Sequence, residues 1–103
     1  VGRQLPLSSG SAARIIAAFV DINTDNASFT QADIEAARNQ GYSESIEERE
    51  AGLASISAPV FDSSGTFLAV LSISGSVERF QPSPAQKYAN ILTSAARELS
   101  NLL

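Results

Sequence analysis

Alternating apolar and polar positions are clearest between residues 53 and 76. Leu53 to Asp62 and Thr66 to Ser76 are both rich in β-branched, aromatic and small residues, and Asp62-Ser63-Ser64-Gly65 joins them with turn chemistry. That pattern predicts a β-hairpin. Pairing Phe61 with Thr66 sets a register in which Val60 faces Phe67, Ala58 faces Ala69, Ile56 faces Leu71 and Ala54 faces Ile73. Side chains alternate faces along a strand, so these eight form one wholly apolar surface. The other surface carries Leu53, Ser55, Ser57, Leu68, Val70, Ser72 and Ser74, with Ser55 expected opposite Ser72. It lacks the Lys, Glu, Thr or Arg that a solvent-facing strand usually shows. Small hydroxyls among aliphatics suit a floor covered by a ligand or by another segment's backbone; they suit partial burial beneath a helix equally.

Helical spacing flanks this hairpin. Val1 to Leu7 reads as an extended lead-in, with Pro6 arguing against a central strand. Ser8-Ser9-Gly10-Ser11 supplies N-cap candidates for a helix over Ala12–Val20, whose apolar ridge is Ile15, Ile16 and Phe19. A Ser/Gly loop opening into a helix offers backbone N–H groups and the positive end of the dipole to a carboxylate, although nearly every helix begins with such a cap. Asp21 to Ser28 is a polar linker. Its carboxylates and amides at Asp21, Asn23, Asp25 and Asn26 resemble a calcium loop, but no Gly sits sixth, and Gln31 and Ala32 stand where the closing Glu belongs, which excludes it. Thr30 to Asp33 is a capping box opening a short helix, and Gly41 closes that helix at C′. Tyr42 and Ser43 lead into another extended piece.

Ser45 to Gly52 is the most charged run, read either as a solvated loop or as a segment in which one acid, such as Glu48, closes over a site. After the hairpin, Val77 to Pro84 is a proline-punctuated connector in which Ser83 caps a helix with Pro84 at N1. Tyr88, Ile91, Leu92, Ala95, Leu99 and Leu102 then recur on one helical face, expected to cover the apolar side of the sheet. The whole is an α+β domain with a mainly antiparallel sheet. Three or four strands are few for burying both faces, so further strands are expected from a preceding segment or a partner chain.

At 103 residues the chain is one domain. It holds neither cysteine nor histidine, which removes disulfides, thiol chemistry, imidazole acid–base catalysis and the usual zinc ligands. A net charge of −4 with scattered basic residues leaves no footprint for a polyanion. No apolar run approaches a membrane span and no signal peptide is visible, so a cytoplasmic setting is expected. No metal, cofactor or catalytic set is assigned. Glu47, Glu48 and Glu50 are clustered rather than placed on two walls, which leaves a glycosidase unsupported. A serine enzyme would need Lys87, the only lysine, which falls in the terminal helix. The chain opens at Val1 without an initiator Met and is expected to be a fragment of a longer protein.

Several pieces occur in one order: Gly2-Arg-Gln-Leu-Pro-Leu7 before a small-residue loop and helix, Arg38-Asn-Gln-Gly-Tyr42, and Glu48 four residues before Gly52. They continue with Leu53-Ala-Ser-Ile-Ser-Ala-Pro-Val-Phe-Asp62, Gly65, Leu71-Ser-Ile-Ser-Gly75 and the terminal amphipathic helix. In this the chain resembles the effector-binding domain of the IclR family of bacterial transcription regulators. The resemblance implies a GAF-like α+β domain spanning 1–103, incomplete at its N-terminus, with a winged helix-turn-helix domain expected before residue 1. It implies a small-molecule effector, an organic acid or aromatic metabolite, self-association as dimer or tetramer, and DNA contact only through the absent domain. The effector's polar end would lie at Ser9, Gly10, Ser11, Ala12 and Ala13 and at Ser55, Ser72 and Ser74. Leu53 would form an apolar wall, with Ser45 and Glu48 in the closing loop. The chain departs from the family where Ser8-Ser9-Gly10 and Ala13-Arg14 replace a His-Ala-Thr-like segment and Gly-Lys, and where Ser55 replaces a Cys of some members. The alternative is a structural oligomerisation module with no ligand.

Overall fold

Local chemistry starts and stops the helices where the sequence places the signals. The computed structural model describes residues 11–20, 29–47 and 51–102; the lead-in at 1–7 and the linker at 21–28 lie outside them. Helix α1 spans Ser11–Phe19 and α2 spans Gln31–Gln40. At α2, the Thr30 hydroxyl accepts from the Asp33 amide at 3.2 Å while the Asp33 carboxylate accepts from the Thr30 amide at 2.9 Å. That exchange satisfies two N–H groups the first turn cannot pair internally. Gly41 ends the helix at φ 83°, donating its N–H to the Ala37 carbonyl, a left-handed backbone that favours glycine. Helix α3, Pro84–Asn101, opens with the Ser83 hydroxyl accepting from Gln86 N–H.

Three strands, β1 (Ser43–Ile46), β2 (Leu53–Phe61) and β3 (Phe67–Ser76), form an antiparallel sheet in the order β1-β2-β3. The architecture is α+β, as the alternation predicts. The hairpin register differs from expectation. Ala54 faces Gly75, Ile56 faces Ile73, Ala58 faces Leu71 and Val60 faces Ala69, while Phe61 faces Phe67. Two local events cause this. The Asp62 carboxylate accepts from the amides of Ser64 and Thr66 and from the Ser64 hydroxyl, and Gly65 sits at φ 87°. Together they fix a three-residue loop closed by Asp62 N–H to the Thr66 carbonyl at 2.9 Å. Leu68 is then the extra residue of a β-bulge opposite Val60 and Phe61. The bulge turns Phe67 to the α1 side, where it stacks on Phe19 at 5.8 Å beside Phe61. Ala69, Leu71 and Ile73 stay on the apolar face.

Each face of the sheet has its own core. Ala54, Ile56, Ala58 and Val60 pack with Phe80, Leu92 and Ala96, so α3 does cover the apolar face. Ile56, Val60 and Leu92 are almost fully buried, each worth about 1.5–3 kcal/mol. Only part of the expected α3 stripe does this work. Leu92, Ala96, Tyr88 and Ala89 reach the sheet, whereas Ile91 is 63% exposed, Leu99 37% and Leu102 81%. The helix meets the sheet along the Leu92–Ala96 line, and Ile91 and Leu102 fall on its flank. On the opposite face, α1 and α2 contribute Ala13, Ile15, Ala18, Ile34 and Ala37, with Phe29, to a second cluster.

Candidate functional site: a serine-lined floor

Beneath the start of α1, serines from four elements meet through their hydroxyls. Ser45 of β1 contacts Ser55 of β2 at 3.1 Å, and Ser55 contacts Ser11 of α1 at 2.6 Å. Ser11 contacts Ser57 at 2.7 Å, and Ser57 contacts Ser72 of β3 at 2.6 Å. The linear order is Ser45–Ser55–Ser11–Ser57–Ser72. Each hydroxyl owns one proton, so five protons serve four bonds and one hydroxyl of the chain keeps a proton to offer outside it. Ser11 and Ser57 are buried and Ser72 is exposed. Strand alternation puts the β-strand serines on one face, and the first residue of α1 lands over it. Among the described residues no buried side-chain nitrogen or oxygen lacks a partner.

The structure brings together Ser11, Ser45, Ser55 and Ser72 of the sequence-selected residues. Ser74 faces Ser55 across the ladder, which corrects the expected Ser55–Ser72 pairing; Ser72 faces Ser57 instead. Ser74 is exposed and Leu53 is 46% exposed, so the floor is open towards the start of β2. Ala12 is half-buried at the first turn, and Ala13 is buried in the α1–α2 core. Ser9, Gly10 and Glu48 lie outside the described residues. Arg14, a candidate counter-ion for an acid, donates to the Glu44 carbonyl at 3.0 Å and lies 5.7 Å above the Phe29 ring. It ties α1 to β1. Ser57 was the missing member of the set, although it shares the alternating face with Ser55; only the position of Ser11 above both reveals its role.

The hydroxyl chain contains no general base. Lys87 lies on α3, across the sheet, with its ammonium 5.8 Å from the Tyr88 ring. A binding floor of neutral donors and acceptors fits this chemistry; nucleophilic catalysis does not. Among the described residues no helix is long and apolar enough to cross a membrane, and no group of three or more His, Cys, Asp or Glu could hold a metal.

Residues 22–101 match the family model described as bacterial transcriptional regulator IclR C-terminal. Over 67 residues the chain is 45% identical to the HTH-type transcriptional regulator KdgR of Escherichia coli K12, covering 65% of this chain and 26% of that protein. The chain thus spans about a quarter of that regulator's length. Its structure is similar to the C-terminal domain of E. coli KdgR, with 32% identity and a TM-score of 0.79 over 98% of this chain and 73% of that one. It is also similar to Thermotoga maritima IclR, with 27% identity and a TM-score of 0.81 over 100% of this chain and 49% of that one.

Proposed function

The chain belongs to the IclR family of bacterial transcriptional regulators through their C-terminal domain, and from that premise we propose that its serine floor receives a small-molecule effector. The proteins it matches are transcriptional regulators, not enzymes. The proposed ligand is a small organic acid or aromatic metabolite. Its binding would change how a winged helix-turn-helix domain, proposed to precede residue 1, is presented to an operator within a dimer or tetramer.

One observation carries this reading: the hydroxyl chain running from Ser45 to Ser72 through Ser11, the first residue of α1. The first four amides of an α-helix have no acceptor within it, and its dipole favours an anion there. A carboxylate entering over Leu53 and Ser74 would take donors from that helix start and from Ser55. The mutual satisfaction of Ser11, Ser55 and Ser57 favours a second reading, in which the floor is closed packing and the domain is a structural oligomerisation module.

A thermal-shift screen of small carboxylic and aromatic acids separates the two. A ligand at about 100 times its dissociation constant stabilises the fold by about 2.7 kcal/mol. A stabilising acid whose effect is weakened by Ser55→Ala or Ser72→Ala supports the effector site. Stabilisation untouched by both substitutions removes the serine floor from the reading, and no response across the panel leaves the structural module.

A further inference from the structure

A second opening lies on the other side of the sheet, away from the serines. A cavity of about 440 Å³ is bounded by α3, by the end of β2 and by the α2–β1 junction at Gln40 to Tyr42. That volume falls within the range of about 300–1,000 Å³ typical of small-molecule sites. We propose that this cavity is a binding site for a small monocarboxylate with an apolar body, independent of the serine floor and of the reading given above.

The cavity exists because β1 stops short. Its first residue, Ser43, faces Ser57, and β2 runs on from Ala58 to Phe61 with no strand partner on that side among the described residues. Glu47 N–H donates to the Leu53 carbonyl, while Val77 N–H donates to the Gly52 carbonyl, so odd-numbered β2 residues aim their main-chain groups towards β1. An open edge of this kind normally invites another strand. Here it is closed to one. Pro59 has no N–H to give, and the Phe61 N–H is already taken by the Ser100 hydroxyl at 3.1 Å. The gap therefore suits a compact ligand rather than an added strand.

The lining fits a particular chemistry. Ala58, Phe61, Ala89 and Ala96 supply apolar surface. Asn90, Thr93 and Arg97 also line the cavity and, three and four residues apart, follow one side of α3. Among the described residues Arg97 makes no hydrogen bond or ion pair, so its guanidinium is available to a carboxylate in the two-pronged geometry that Arg favours.

The test uses this chain and two probes of one shape, benzoate and uncharged benzamide, followed by alanine-methyl and amide NMR. Saturable benzoate shifts at the methyls of Ala58, Ala89 and Ala96 are expected, with benzamide weaker by at least about tenfold, the worth of a charge-assisted hydrogen bond. Arg97→Gln, a change at an exposed and unpaired position, should weaken benzoate by a similar factor and leave benzamide unchanged. Lys87→Gln, at an exposed α3 position that does not line the cavity, should alter neither. No saturable shift at about 20 mM, well past a millimolar dissociation constant, overturns the proposal. So do shifts confined to Ser55 and Ser72, or benzoate binding that Arg97→Gln leaves intact.

Discussion

Replacing Ser57 by alanine tests whether the hydroxyl chain holds the fold as its geometry implies. Ser57 is fully buried, and its hydroxyl bonds to Ser11 at 2.7 Å and Ser72 at 2.6 Å. Its removal breaks both bonds but strands neither partner, since Ser11 keeps Ser55 and Ser72 is exposed to water. The expected cost is therefore two net hydrogen bonds, about 1–3 kcal/mol, without the penalty of a buried unsatisfied group. Ser11→Ala also breaks two bonds, to Ser55 and Ser57. The double mutant loses three bonds and not four, because the Ser11–Ser57 bond belongs to both. The two single effects should thus exceed the double effect by about 0.5–1.5 kcal/mol, the worth of one shared bond. Urea unfolding followed by far-UV circular dichroism measures all four proteins; each kcal/mol moves the midpoint by about 0.3–1 M at ordinary urea slopes. Additivity within about 0.3 kcal/mol, or a Ser57→Ala protein as stable as the parent, would refute the shared-bond account.

Leu92→Ala empties the centre of the α3 contact, where Leu92 is 1% exposed, and should lower stability by about 2.7–5 kcal/mol in the same assay. A loss below about 1 kcal/mol would mean that α3 does not seal the apolar face. Asp62 supplies a pH dependence. Hydrogen bonds from the Ser64 hydroxyl and then the Thr66 amide hold its carboxyl below the ordinary value. With its folded pKa depressed, its stabilising contribution is present above the unfolded pKa of about 3.9 and is lost as pH falls through the lower folded value. Urea midpoints measured from about pH 5 downwards should fall less steeply for Asp62→Asn than for the parent; parallel curves would deny the turn this role.

Elements with a complete local signal were legible in the sequence. Thr30 with Asp33, Gly41, and Ser83 with Pro84 each form a short-range device whose partners lie within a few residues, and the structure realises all three. The two faces of β2 were legible for the same reason. What escaped depended on longer-range geometry. The register turned on whether the Asp62 carboxylate closes a three- or four-residue loop and on a bulge at Leu68, an ordinary apolar residue with no mark of its own. On α3, Ile91 and Leu92 sit on one broad apolar arc, and only the docking angle decides which meets the sheet. The resemblance placed Ser11, Ser45, Ser55 and Ser72 in one region. Ser57 entered that set only once the crossing of α1 over β2 was known, since a fully buried serine and an exposed one look alike in a sequence.

The bulge at Leu68 also governs how this hairpin can change length. From Asp62 and Thr66, an unbroken ladder would set Ile56 against Ser72 and Ala54 against Ser74; the extra residue sets them instead against Ile73 and Gly75. Leu68 therefore acts as a phase shift, keeping oily and hydroxyl-bearing positions on their proper sides. Straightening the bulge with the residue kept would exchange the two sides over the rest of β3, driving Ser72 and Ser74 into the α3 core and lifting Leu71 and Ile73 onto the floor. Deleting Leu68 itself would leave a regular ladder with Ile56 still against Ile73 and Ala54 against Gly75. Length in this hairpin behaves like a reading frame with one spare letter: residue 68 can be dropped without altering the pairs beyond it, whereas a residue lost within Ala69 to Ser76 shifts every later pair.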